Sequence, residues 1–132
     1  MARLYRVILP VSDIEAAAKF YAAILDSPGK RVSSGRHYFD CEGTILACYD
    51  PVADGDTHQA TPNPDHIYLA VDDIEAAFAK GKAAQANFSP GRTGGAPLAE
   101  IAKRPWDERS FYLHDPFGNP VCFVERPTMF TG

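Results

Sequence analysis

Arg6-Val-Ile-Leu-Pro-Val-Ser-Asp-Ile-Glu-Ala-Ala17 and His66-Ile-Tyr-Leu-Ala-Val-Asp-Asp-Ile-Glu-Ala-Ala77 are two copies of one pattern, set 60 residues apart. Val11 and Val71, Asp13 and Asp73, Ile14 and Ile74, Glu15 and Glu75, and two alanines in each copy are identical. A repeat of this length marks a duplicated structural unit. Each copy opens on an apolar, β-branched run that suits a buried strand (Tyr5 to Val11, His66 to Val71). Each then enters a helix. Ser12-x-x-Glu15 and Asp72-x-x-Glu75 place an oxygen-bearing side chain three positions before a glutamate, the signature of a helix N-cap.

Working outward, Ile14, Ala18, Tyr21 and Leu25 recur on one face of the first helix, and Ser27-Pro28-Gly29 ends it. The second helix repeats the pattern more weakly, with Ile74, Ala77 and Phe78 apolar before Lys80, Gly81 and Lys82. Strands are expected at Tyr38 to Asp40, Thr44 to Tyr49, Ser110 to His114 and Val121 to Glu125. Turns at Cys41-Glu42-Gly43 and Asp115-Pro116-Phe117-Gly118-Asn119 separate them. Setting Gly43 against Gly118 aligns Ala47 with Cys122. The reading is therefore one α+β domain over 1–132, with a first module over 1–50, a Pro, Asp and Gly-rich linker over 51–65 and a second module over 66–132. A second breaker-rich stretch, Ser89 to Pro97, interrupts the second module and reads as a surface loop, either bordering a ligand site or a simple tolerated insertion.

At 132 residues the chain can bury a core without staples. With 45% hydrophobic and 23% charged residues and a net charge of −4, it is globular and gives no electrostatic reason to bind nucleic acid or an anionic membrane. No apolar run reaches the ~20 residues of a membrane span, and the first residues lack the apolar stretch of a signal peptide, so a cytoplasmic location is expected. Three cysteines without CxxC spacing read as reduced thiols.

The repeat, together with Arg104-Pro-Trp-Asp-Glu-Arg-Ser-Phe-Tyr112 and Asp115-Pro-Phe-Gly-Asn-Pro-Val-Cys-Phe-Val-Glu125, resembles the vicinal oxygen chelate superfamily of glyoxalases, bleomycin-resistance proteins and extradiol dioxygenases. The likeness is nearest to the small bleomycin-resistance-type proteins. It implies two βαβββ modules curving a mixed sheet into a cup, commonly completed by homodimerisation. It also implies four inward positions that hold a metal in the enzymes, which fall here on Arg6, Ala47, His66 and Cys122. Only His66 is a usual ligand. Arg6 is a cation and Ala47 has no donor, so no cofactor is expected; any divalent ion would rest on His66 and Cys122.

The expected function is binding of a small aromatic or amphipathic molecule in the cup, with sequestration as one use. Arg6 reads as an anchor for a carboxylate or phosphate, and His66 as a hydrogen-bonding group. Trp106, Arg109 and Phe111 read as an aromatic and cationic wall, Cys122 as a buried thiol in it, and Tyr38, Tyr49 and Tyr68 as weaker wall candidates. The alternative is a metal-dependent lyase or dioxygenase. A third reading makes the aromatic cluster an interface only. No phosphate loop, nucleophile elbow or triad spacing is present.

Overall fold

A computed structural model describes residues 1–132. The chain forms two compact units, Met1–Asn63 and Pro64–Gly132. The boundary falls inside the stretch read as a linker.

The first unit runs β1 (Arg6–Pro10), α1 (Ile14–Leu25), β2 (Lys30–Ser33), β3 (Arg36–Cys41) and β4 (Thr44–Tyr49). Its sheet has the order β1-β4-β3-β2, with β1 parallel to β4 and the other pairs antiparallel. Leu9, Val11, Phe39, Leu46 and Cys48 meet the helix side chains Ile14, Ala17, Phe20, Tyr21 and Ile24 in the core. The expected stripe was right at Ile14 and Tyr21, whereas Ala18 and Leu25 are only half-buried. The start of the linker is tied down. Asp54 accepts from Ser33 Oγ (2.6 Å) and Gly35 N (2.9 Å) and pairs with Arg36 (3.3 Å).

The second unit runs β5 (Ile67–Val71), α2 (Ile74–Ala83), β6 (Asn87–Phe88), β7 (Arg92–Thr93), β8 (Ala96–Pro97), β9 (Ala102–Lys103), β10 (Arg109–His114) and β11 (Pro120–Glu125), then a 3-10 turn at Arg126–Thr128. The order β5-β11-β10-β6 repeats that of the first unit, and β9 joins the far end of β10's free edge. The registers agree with the sequence alignment: Ile8 pairs with Ala47 in one unit and Tyr68 with Cys122 in the other.

Both helix starts differ from the expectation by one residue. The caps are Asp13 and Asp73, which accept from the amides of Ala16 (3.1 Å) and Ala76 (3.0 Å). Burial of Ile14 and Ile74 against their sheets places each as the first helical residue, so the residue before it caps. Glu15 and Glu75 are thereby released from capping. They pair with Arg31 (2.8 Å) and Arg109 (2.7 Å).

Candidate functional site

Strand alternation divides the second sheet into two faces. Phe111 pairs across to Phe123, and Phe123 to Leu69; this face lies under α2. Tyr112 pairs to Cys122, and Cys122 to Tyr68; this face carries no helix and is open at Tyr68, whereas Tyr112 and Cys122 are buried. The residues expected to share one wall are therefore separated.

Phe111 is a core residue, and its expected place in a ligand wall is corrected. It is 0% exposed, stacked on Phe123 (5.2 Å, 14°) and met edge-on by Phe78 (5.1 Å). The same parity carries Arg109 to the helix side, where Nη1 pairs with Glu75 (2.7 Å) and Glu125 (2.8 Å).

Arg104-Pro-Trp-Asp-Glu108 is a hairpin turn. Asp107 N donates to Arg104 O (2.9 Å), and Arg104 N to Glu108 O (2.7 Å), with Asp107 left-handed at φ 72°. This is a three-residue loop with Pro105 in the position where its fixed φ helps, and Trp106 at the tip. The indole N–H donates to Glu108 Oε1 (2.8 Å), whose other oxygen accepts from Phe130 N (2.9 Å). Trp106 and Arg109 thus line a shallow recess of about 630 Å³ with Lys103, Thr128, Met129 and Phe130.

The open face gathers His66, Tyr68, Tyr112, His114 and Cys122. The His66 ring meets Tyr112 edge-on at 4.9 Å and lies 6.5 Å from Tyr68 and 6.3 Å from His114. His66 Nε2 is buried without a hydrogen-bond partner. Burial, and then His114, lower the His66 pKa, which favours the neutral ring. His114 Nδ1 is 3.2 Å from Ser89 Oγ. Cys122 is fully buried, and that burial pushes its thiol up to about 12. It is no nucleophile in that state. From sequence His114 is weighed only as a triad partner and set aside, although alternation from Tyr112 puts it on the same face.

In the first unit, Arg6 is exposed at the start of β1, its guanidinium 5.1 Å from the Tyr5 ring and 5.3 Å from the Tyr38 ring, with no ion pair. Tyr49 bonds Asp56 and carries Arg36 over its ring at 4.3 Å.

These residues do not fit the metal that the resemblance implies. Ala47 has no donor, Arg6 repels a cation, and Cys122 holds its proton. No group of three or more His, Cys, Asp or Glu side chains converges.

The family model described as the glyoxalase/bleomycin resistance protein/dioxygenase superfamily matches residues 3–123. Among solved structures, a glyoxalase/bleomycin resistance protein from Albidiferax ferrireducens is 24% identical (TM-score 0.71, 93% of this chain and 98% of that one). A glyoxalase-related enzyme from Fulvimarina pelagi is 16% identical (TM-score 0.75, 100% and 94%). Lactoylglutathione lyase from Agrobacterium tumefaciens is 17% identical (TM-score 0.67, 95% and 94%). At these identities the structures show a shared fold. No curated protein matches the chain.

Proposed function

Because the chain belongs to the glyoxalase/bleomycin resistance protein/dioxygenase superfamily, we propose that it is a cytoplasmic binding protein that takes a small aromatic or amphipathic molecule against the open face of its second unit. The observation that carries this reading is His66 Nε2, buried among rings with no partner. Buried polar atoms in native proteins nearly always have a partner, and an orphan costs ~1–3 kcal/mol. A hydrogen-bonding group on the ligand removes that cost. Tyr68, 58% exposed, offers a ring for the ligand's flat body. Apart from that face, the Trp106 recess offers an apolar surface of its own, and in the first unit Arg6 presents a guanidinium suited to an anionic group. Sequestration of the bound compound is the use this suggests.

The test follows the His66 Cε1–H resonance during titration with single-ring phenols and carboxylates, alongside the melting temperature. A saturable shift and a ligand-dependent rise in melting temperature are expected, the rise being smaller in His66→Gln. A resonance and melting temperature that ignore the whole panel would sink the reading.

The second reading, a metal-dependent lyase or dioxygenase, has the same orphaned imidazole in its favour, and the name of the Agrobacterium neighbour. The donor set speaks against it. Elemental mass spectrometry of protein purified without chelators decides: near-stoichiometric metal that is lost in His66→Ala would restore the enzyme reading.

A further inference from the structure

The segment Ser89–Leu98 is a strap whose two ends close on one residue. Ser89 N donates to Tyr112 O (3.1 Å), and Tyr112 N donates to Leu98 O (2.8 Å). Between them β7 and β8 pair across Gly94-Gly95, both at positive φ. Gly94 lies against the Pro105 ring so closely that a Cβ would come within 2.2 Å of it. The Arg104 guanidinium, 2% exposed, holds the returning limb from inside. Its Nη1 donates to Pro97 O (3.1 Å), Nη2 to Glu100 O (3.1 Å) and Ser110 O (2.9 Å), and Nε to Ser110 Oγ (3.0 Å). Its plane lies over the Tyr112 ring at 5.2 Å. So anchored, Leu98 packs against Tyr112, Cys122 and Val124. Those three are at most 5% exposed, whereas His66 and His114 stay half-buried and Tyr68 is exposed.

We infer that Leu98 is the specificity-determining residue of the open face: the strap holds its side chain over the Tyr112–Cys122–Val124 floor, leaving His66, Tyr68 and His114 for a small hydrogen-bonding ligand of a single ring. Cys122, at the position implied for a metal ligand, lies beneath this shield. The ligand part of the inference rests on the binding reading above; the shielding stands without it.

Two measurements on native protein, Leu98→Ala and Leu98→Met test the two parts separately. First, alkylation by N-ethylmaleimide is followed at Cys122 by peptide mass spectrometry, with Cys48, buried in the first unit, as the reference thiol. Leu98→Ala is expected to speed Cys122 by about tenfold or more while Cys48 keeps its rate, and Leu98→Met, of similar volume, to match the native protein. An unchanged Cys122 rate, or a parallel rise at Cys48, overturns the shield. Second, phenol and 2-naphthol are titrated against the His66 resonance. Native protein is expected to respond to phenol, and Leu98→Ala to gain about tenfold in affinity for 2-naphthol. An alanine variant with native affinities overturns the specificity role. No response to either probe in any of the three proteins overturns the binding reading, and the thiol rates still judge the shield.

Discussion

Arg104 is a buried cation that no carboxylate pairs; carbonyls of Pro97 in the strap, of Glu100 and of Ser110 in β10, with the Ser110 hydroxyl, satisfy it instead. Removing it strands those acceptors away from water. Arg104→Met, which keeps the length of the side chain, is expected to cost about 3 kcal/mol in urea unfolding. A loss within the ~0.5 kcal/mol typical of surface changes would show that the strap stands without its anchor. Nothing local in the sequence marks Arg104 as buried: arginine before proline reads as a surface turn, and its partners Pro97 and Glu100 lie in a loop of no periodicity. The opposite holds at His66. Its place at the start of the repeated strand, one of the inward positions that the resemblance implies, made it a candidate from sequence. The orphaned nitrogen, by contrast, follows from the packing around the ring, which no local pattern shows.

Among elements, α2 shows how an end is made without glycine. Ala86 N donates to Gly81 O (3.0 Å) and Gln85 N to Lys82 O (3.0 Å), with Gln85 left-handed at φ 58°. That is a Schellman close on a residue whose Cβ opposes it. Gln85→Gly is expected to stabilise the chain by about 1 kcal/mol, read as a rise in melting temperature; a fall would mean the glutamine side chain contributes more than its strain costs. The hairpin β7-β8 has the reverse need. Gly94→Ala forces a left-handed alanine into the Pro105 ring and is expected to loosen the strap, seen as faster amide exchange at Tyr112. The two helices, to within a residue at their starts, and the strands β3, β4, β10 and β11 were legible because they obey the 3.6 and 2.0 periods. The short strands β2, β6, β7, β8 and β9 were not. Several of them are two residues long, and they exist because a neighbouring strand supplies their hydrogen bonds.

For the molecule as a whole, titration of His66 links the open face to stability. Its folded pKa is lowered, so between the ordinary value near ~6.5 and the lowered one the unfolded chain binds the proton first. Its contribution is therefore complete above ~6.5 and is lost as pH falls through that window. Native protein is expected to unfold at lower urea as pH drops through it, and His66→Gln to flatten that slope. An identical slope in the variant would assign the acid sensitivity to other groups. The duplication, the α+β class and the two cores were determined by the sequence itself, since strand alternation, helical stripes and turn residues act over a few positions and were written twice. Tertiary structure alone decided which face each expected site residue joined. One strand sent Arg109 and Phe111 under α2 and Tyr112 to the open side, and a loop without periodicity came to lie over Cys122. Such placements depend on the parity of distant strands meeting in register and on which buried polar atoms find partners, and no short stretch of chain encodes either.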